Sequence, residues 1–327
     1  MNKDAKIYVA GHRGMVGSAI VRRLGAKGFS NLLIRTRAEL DLRNQAKVDE
    51  FFSQEKPDYV FLAAALVGGI HANNTRRAEF IYDNLIVQTN VMHSAWRHGT
   101  AKLAFLGSSC VYPRESPQPI REEHLLSGPL EPTNEPYALA KIAGIVMAQS
   151  YRRQYGFNTI CLMPTNLYGP NDSYDLESCH VLPALLRKFH EAKKQGAAQV
   201  SIWGSGRPRR EFLHVDDLAD AALHLMETYN KGDIVNVGVG KDISIAELAE
   251  LIAQVVGYAG ELTFDSSKPD GMPRKLLDVS RLANLGWTAK TGLRDGVLST
   301  YSGAASTLDR FSDRPQIGSL TAVKRGT

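Results

Sequence analysis

The turn that follows the first apolar run constrains the fold more than any other feature of the chain. The stretch YVAGHRGMVGSAI places Gly11, Gly14 and Gly17 between a strand-like segment and the start of a predicted helix. A turn this tight needs residues without Cβ, so that the backbone approaches a pyrophosphate whose charge meets the N-terminus of the helix. The glycines therefore predict a dinucleotide-binding unit at the start of the chain.

Short apolar runs alternate with helix-length segments through the first half of the sequence. The predicted strands are KIYVAG, NLLIRT, DYVFLAA, KLAFLGS and NTICLMP. This alternation predicts an α/β fold with a Rossmann-type, doubly wound parallel sheet. Beyond Pro164, turns that contain glycine and proline loosen the pattern, which predicts a smaller mixed α/β domain in the C-terminal part.

The end of the second predicted strand indicates which dinucleotide is bound. In LIRTRAEL, Arg35 and Arg37 stand where an NAD-binding domain usually carries an acidic residue for the ribose 2′-hydroxyl. Cations at this point, together with Arg13 in the glycine turn, suit a 2′-phosphate, so the sequence favours NADP(H) over NAD. The alternative is that these arginines are solvated surface residues.

The domain boundaries follow from these patterns. Residues 1–164 are predicted to form the NADP-binding Rossmann domain, and a later segment, about 205–240, is predicted to return to it. Residues 165–301 are predicted to form mainly the substrate-binding domain. Residues 302–327 have little periodicity and are predicted to be a poorly ordered tail.

Composition excludes several functions. The formal charge of +5 comes without a dense run of Lys and Arg, which argues against a nucleic-acid partner. The first apolar run breaks at Gly11, too early for a signal peptide or a membrane span. Cys110, Cys161 and Cys179 have the spacing of neither a disulfide framework nor a zinc site. We therefore expect a cytoplasmic protein with no metal and no membrane contact.

The segment EPYALAKIAG indicates acid–base chemistry. Tyr137 and Lys141 are four residues apart, which places both side chains on one face of a helix. A phenol with a pKa of about 10 is a slow acid near neutrality, and we expect the Lys141 ammonium to lower the pKa of Tyr137. Ser108, at the end of the fourth predicted strand, is placed to hydrogen-bond the same substrate oxygen. Ser, then Tyr-x-x-x-Lys, after a glycine turn is far more specific than the pair alone.

Together these motifs resemble the extended short-chain dehydrogenase/reductases, whose glycine spacing is G-x-x-G-x-x-G as here, and within them the GDP-L-fucose synthases. The closer resemblance is carried by GHRGMVGSA, AAALVGGIHANN, LGSSCVYP, LEPTNEPYALAKIAG, MPTNLYGPND, HVLPALLRKFHEA and WGSGRPRREFLHVDDLA. It runs from about Lys6 to about Tyr301. The resemblance implies that a homodimer converts GDP-4-keto-6-deoxy-D-mannose to GDP-L-fucose, by 3,5-epimerisation through enolate intermediates and NADPH-dependent reduction at C4.

The resemblance also implies roles for the residues of the site. Inverting C3 and C5 requires proton-transfer groups that a Ser, Tyr and Lys reductase lacks. By resemblance Cys110 is the base and His180 the acid, and Ser108, Tyr137 and the Lys141 charge hold the enolate oxygen before Tyr137 donates a proton during reduction. Taken alone, Cys110 would be interpreted as a small buried hydrophobe and His180 as a helix-start or core histidine.

Binding residues are expected by the same resemblance. Contacts with the cofactor are expected at Gly11, Arg13, Gly14, Met15, Val16, Gly17, Arg37, Leu106, Gly107, Lys141, Pro164, Asn166, Leu167 and His180. Contacts with the GDP-sugar are expected at Lys188, Trp203, Arg210 and Asp270. Each of the latter is otherwise a solvated surface residue, and Arg209 has no assigned role.

Two other functions fit the same fold. A nucleotide-sugar 4-epimerase or 4,6-dehydratase holds its nicotinamide tightly and recycles it, so such an enzyme would not consume added NADPH. Arg37 argues against this alternative because those enzymes generally use NAD. A non-catalytic NADP-binding protein is the other alternative, and it predicts that the Tyr or the Lys is missing, whereas both are present.

Overall fold

A six-stranded parallel sheet lies at the centre of the fold. The computed structural model describes residues 1–268 and 270–312. The strands of the sheet are β1 (Ile7–Ala10), β2 (Leu32–Leu33), β3 (Tyr59–Leu62), β4 (Lys102–Leu106), β5 (Asn158–Pro164) and β10 (Val235–Val237). Their order is β10-β5-β4-β3-β1-β2, and every neighbouring pair is parallel. The order reverses between β1 and β3, which is where a doubly wound sheet binds its ligand.

Helices cover both faces of this sheet. One face packs against α1 (Met15–Ala26) and α7 (Val215–Thr228), and the other against α2 (Gln45–Glu55), α4 (Arg77–Arg97) and α5 (Glu135–Tyr155). Strand β1 shows why both faces are buried, since Ile7 and Val9 enter one core while Tyr8 and Ala10 enter the other. A short helix, α3 (Ile70–Thr75), leads into α4.

A third apolar core lies in the C-terminal part of the chain. It is formed by α6 (Val181–Gln195), α8 (Ile245–Val256) and α10 (Leu293–Ser312) with the parallel strands β7 (Gln199–Trp203) and β12 (Glu261–Asp265). The shorter elements connect this core to the main sheet. They are β6 (Asn166–Tyr168), β8 (Arg209–Arg210), β9 (Phe212–His214), β11 (Ile243–Ser244), β13 (Arg274–Lys275) and α9 (Ser280–Asn284).

The predicted α/β class and doubly wound parallel sheet are confirmed. The chain returns to the sheet after α6 and β7 of the C-terminal core. Helix α7 then packs beside α1, and β10 pairs with β5. The division of the chain at residue 164 stays a prediction.

The predicted start of the tail is wrong. Residues 302–312 continue α10 instead of being poorly ordered. Ala304 and Leu308, one helical turn apart, are 7% and 0% exposed and pack into the C-terminal core, so tertiary burial stabilises a segment with little periodicity. Residues 313–327, the rest of the predicted tail, lie outside the described residues. Neither α10 nor any other helix in the described ranges is long and apolar enough to cross a membrane.

Candidate active site

The glycine turn connects β1 to α1 at the point where the strand order reverses. Gly11 has a φ of +84°, and a Cβ there would lie 2.8 Å from the backbone nitrogen of Ala64, which follows β3. A Cβ on Gly17 would collide with the carbonyl oxygen of Gly11. Gly14 caps α1 without a side-chain hydrogen bond, so the first amides of the helix are available to an anion.

Other predicted cofactor residues lie at the carboxyl ends of the same parallel strands. After β1 they are Met15 and Val16, at the start of α1. At the end of β4 they are Leu106 and Gly107, and at the end of β5 and in the adjoining β6 they are Pro164, Asn166 and Leu167. Gly107 packs closely against the end of the Met163 side chain, which a Cβ on Gly107 would displace.

The three arginines of the predicted 2′-phosphate site have different partners. Arg35 is paired with Glu55, with 2.7 Å between Nη2 and Oε1. The side chain of Arg37 is 69% exposed, and its Nε lies 3.9 Å from an Asp41 oxygen. Arg13 is also exposed. Arg37 and Arg13 are thus better placed than Arg35 to meet a phosphate.

Ser108, Tyr137 and Lys141 come together beside the end of β4. Ser108 begins a short 3₁₀ turn, and its Oγ accepts a hydrogen bond from the backbone N–H of Cys110 at 3.2 Å. The Ser108 side chain lies near the Tyr137 phenol and acts to lower its pKa. Lys141 Nζ donates to the carbonyl oxygen of Leu106 at 2.8 Å and lies 5.8 Å from the centroid of the Tyr137 ring. The structure therefore brings the predicted Ser, Tyr and Lys into one group.

The expected effect of Lys141 on Tyr137 is wrong. Tyr137 and Lys141 are 8% and 4% exposed. Burial, followed by the charge of Cys110, raises the pKa of Tyr137, while the Ser108 side chain opposes the shift. Burial also lowers the pKa of Lys141 to about 8. Desolvation disfavours both charged forms, and Lys141 is not among the groups that act on the pKa of Tyr137, so Tyr137 keeps its proton and is suited to donate it.

Cys110 lies next to a cation that the sequence analysis did not identify. Lys275 Nζ is 3.4 Å from Cys110 Sγ, and Lys275 is 7% exposed. The Lys275 charge also acts on His180, whose pKa is lowered first by burial and then by this cation. His180 keeps exposed surface although protein atoms surround it closely, as expected of a side chain in an open cleft. Lys275 therefore acts on both the predicted base, through a hydrogen bond to Cys110, and the predicted acid, through its charge on His180.

The loop that carries His180 is fixed by a glycine that the sequence analysis left without a role. The Gly69 N–H donates to the carbonyl oxygen of Ser178 at 2.7 Å, and a Cβ on Gly69 would collide with the carbonyl oxygen of Cys179. His180 then serves as the N-terminal cap residue of α6. The paired glycines in AAALVGGIHANN were the signal for this close approach of two backbones.

The other two thiols have surroundings that favour the protonated form. Burial raises the pKa of Cys161, inside β5, to about 12 and that of Cys179 to about 11. Neither is as well suited to serve as a base as a thiol beside a cation. Among the described residues, no group of three His, Cys, Asp or Glu side chains could hold a metal ion.

Two of the predicted substrate residues form a pair on the C-terminal core. Lys188 Nζ donates to the carbonyl oxygen of Ser201 at 3.2 Å and lies 5.4 Å from the centroid of the Trp203 ring. Lys268 Nζ lies 5.6 Å from the same centroid. The Trp203 side chain is 62% exposed, so its ring offers an open stacking surface flanked by cations.

The other two, Arg210 and Asp270, interact with each other through charge, and Arg210 also interacts with Cys110. Asp270 accepts hydrogen bonds from the backbone N–H and hydroxyl of Ser205 at 2.6 and 2.8 Å, which hold its pKa low. Burial lowers the pKa of Arg210, and the charges of Cys110 and Asp270 oppose that shift. The Arg210 guanidinium therefore interacts through charge with both the thiol and the carboxylate. Arg209 is paired with Asp242 at 2.8 Å and has a structural role.

Comparison with known proteins agrees with this geometry. The sequence model of the NAD dependent epimerase/dehydratase family matches residues 7–238. The chain belongs to this family. It is 62% identical over 300 residues to GDP-L-fucose synthase 1 of Arabidopsis thaliana, which covers 92% of this chain and 93% of that protein.

Solved structures of epimerase/dehydratase family relatives superimpose on most of the chain. A GDP-6-OMe-4-keto-L-xylo-heptose reductase from C. jejuni is 40% identical, with a TM-score of 0.90 over 94% of this chain and 99% of that one. A GDP-L-fucose synthetase from Naegleria fowleri bound to NADP is 27% identical, with a TM-score of 0.87 over 94% of this chain and 96% of that one. The two solved relatives thus share the fold, and all three relatives are named for a GDP-sugar.

Proposed function

We propose that the protein converts GDP-4-keto-6-deoxy-D-mannose to GDP-L-fucose by epimerising C3 and C5 and reducing C4 with NADPH. The observation that carries this proposal is the position of the Cys110 thiol, 3.4 Å from a buried ammonium and next to the predicted Ser, Tyr and Lys group. A reductase needs no base at this position, whereas inversion at carbons next to a ketone does. The 62% identity to a plant GDP-L-fucose synthase supports the same reaction.

The site fits NADP(H) at its diphosphate end and at its 2′-phosphate end. The turn is tight because a Cβ on Gly11 or Gly17 would collide with neighbouring backbone, and a turn this tight lets the backbone approach a pyrophosphate. Arg37 and Arg13 supply exposed cations for a 2′-phosphate. When bound, the cofactor supplies the hydride that reduces C4.

Epimerisation is assigned to the epimerisation cluster, which we define as Cys110, His180 and Lys275. The Cys110 thiolate takes a proton from C3 or C5, so that an S–H bond forms, the C–H bond breaks, and the electron pair moves to the C4 oxygen as an enolate. His180 then donates a proton to the opposite face of the same carbon and the ketone is restored. Burial and the Lys275 charge lower the pKa of His180, which favours the neutral imidazole in the free site, and an imidazolium formed there gives up its proton readily.

Reduction is assigned to the reduction cluster, which we define as Ser108, Tyr137 and Lys141. Ser108 and Tyr137 donate hydrogen bonds to the C4 oxygen, which stabilises the enolate during epimerisation. Tyr137 gives its proton to that oxygen as C4 becomes a secondary alcohol. Burial keeps the phenol protonated until this step.

The GDP part of the substrate is assigned to the C-terminal core and its connecting strands. Trp203 offers a ring for stacking, and Lys188 beside it offers a cation for phosphate. Arg210 suits the diphosphate or the sugar because its guanidinium interacts through charge with both Cys110 and Asp270. Asp270 has further acceptor positions for a guanine edge or a sugar hydroxyl.

We propose a homodimer that works in the cytoplasm. Exposed apolar side chains lie on α4 and α5, namely Tyr82, Leu139, Val146 and Tyr155. These faces suit pairing with a second copy of the same two helices. The cytoplasm fits the chemistry because a reducing compartment keeps the Cys110 thiol free.

The proposed function is tested by incubating the protein with GDP-4-keto-6-deoxy-D-mannose and NADPH in deuterated water. We expect NADPH loss to match the formation of GDP-L-fucose, and NMR to show deuterium at both C3 and C5. NADPH loss without deuterium at these carbons would make the protein a simple C4 reductase and overturn the proposal. No net NADPH loss would indicate a 4-epimerase or a dehydratase instead.

A further inference from the structure

The buried ammonium beside the candidate base is the feature that the proposed chemistry leaves unexplained. Lys275 is 7% exposed, and its Nζ donates to Cys110 Sγ at 3.4 Å. No carboxylate of the described residues lies within salt-bridge distance of this ammonium. Burying a charge without a partner is costly, so the natural counter-charge for Lys275 is the sulfur itself in its thiolate form.

Strand pairing explains how Lys275 reaches this position. Strand β13 pairs in parallel with β8, so that Arg274 is opposite Arg209 and Lys275 is opposite Arg210. Arg209 and Arg274 both bind the carboxylate of Asp242. Because successive side chains of a strand point to opposite sides, this arrangement directs Lys275 and Arg210 to the other side, where Cys110 lies.

Besides Lys275, Cys110 is surrounded by two polar side chains and an apolar flank. On β8 the guanidinium of Arg210 interacts with the thiol through charge, and on α5 Tyr137 does so as well. The other flank is apolar and includes Leu66 and Phe80. Lys275 is the charged side chain that donates a hydrogen bond to the Cys110 sulfur.

We propose that Lys275 is a positioning residue that holds Cys110 as a thiolate aimed at the substrate. This inference rests on the proposed function for its chemistry, in which the thiolate removes a proton from C3 or C5. After that transfer the sulfur is neutral and Lys275 has lost its counter-charge, which favours loss of the new S–H proton to solvent. The thiolate is thus restored for the second carbon.

The inference is tested by the rate at which iodoacetamide alkylates Cys110, followed by mass spectrometry of its peptide between pH 5.5 and 9.5. Only the thiolate reacts, so the curve reports the ionisation of this sulfur. In Lys275→Met we expect the midpoint to move up by about one pH unit or more, and the rate at pH 7 to fall about tenfold. Lys275→Arg, which keeps the charge, should stay within about threefold of the wild type.

Two further variants make the result specific. Lys290→Met removes an exposed lysine that is paired with Asp220, and its alkylation curve should match the wild type. If Lys275→Met does not fold, as judged by circular dichroism, Lys275→Gln keeps a polar buried side chain and should give the same displaced midpoint. A wild-type curve in a folded Lys275→Met or Lys275→Gln variant would overturn the inference.

Substrate measurements separate this inference from the proposed function. In Lys275→Met, deuterium exchange at C3 and C5 should fall about tenfold at pH 7 and recover as the pH rises, as expected if only thiolate formation is impaired. If the wild type shows no exchange, the proposed function fails while a displaced alkylation curve still supports the role of Lys275. If exchange is normal and the curve is not displaced, only the role of Lys275 fails.

Discussion

The two clusters of the active site lie side by side but have opposite electrostatics. In the reduction cluster, burial favours the neutral forms of the Tyr137 phenol and the Lys141 amine. In the epimerisation cluster, a buried cation lies against the sulfur of Cys110. The difference follows from what each step needs, since a proton donor must keep its proton until the step and a base must already have lost its own.

The clusters also differ in where their residues come from. The reduction cluster joins the turn after β4 to one face of α5. The epimerisation cluster joins the same turn to the start of α6 and the two-residue strand β13. The clusters share the turn after β4 but otherwise come from different elements, and it should be possible to remove one activity while keeping the other.

Removing the thiol should give the largest effect. We expect Cys110→Ala to lower deuterium exchange at C3 and C5 about a thousandfold, because the base is lost. The hydride step should persist, measured as NADP⁺ reduction with GDP-L-fucose. The matched control is Cys179→Ser, which alters the thiol beside His180 and should exchange at close to the wild-type rate. Comparable losses in both variants would mean that Cys110 has no special role.

Removing the phenol should have the converse effect. In Tyr137→Phe we expect NADP⁺ reduction with GDP-L-fucose to fall about a hundredfold or more, because no group is left to exchange a proton with the C4 oxygen. Exchange at C3 and C5 should fall much less, since Cys110 and His180 are unchanged. Equal losses of exchange and hydride transfer would show that the two clusters do not work separately.

Much of the fold and of the reduction cluster could be predicted from the sequence because their signals are local. The glycine turn and the i, i+4 pair of Tyr137 and Lys141 each lie within one short segment. Lys275 could not be found in this way, since its position depends on the pairing of β13 with β8. The raised pKa of Tyr137 was missed because it depends on burial rather than on spacing.

The smallest expected effect concerns stability and tests the electrostatics of the reduction cluster. Burial lowers the pKa of Lys141 to about 8, below its value in the unfolded chain. Between these values the unfolded state binds more protons, so the stability of the folded protein rises with pH. Relative to Lys141→Met, the wild type should gain about 2 kcal/mol in free energy of unfolding between pH 7.5 and 9.5. Urea unfolding of both proteins measures this, and a difference that does not change with pH would contradict it.

Mixing two inactive variants tests the separation of the clusters most directly. Cys110→Ala and Tyr137→Phe would each be supplied with GDP-4-keto-6-deoxy-D-mannose and NADPH, alone and together, and GDP-L-fucose would be measured by NMR. We predict that neither variant alone makes appreciable product. Together they should make it, because Tyr137→Phe releases the epimerised ketone and Cys110→Ala reduces it. A mixture that makes no more GDP-L-fucose than the two variants make separately would contradict the account.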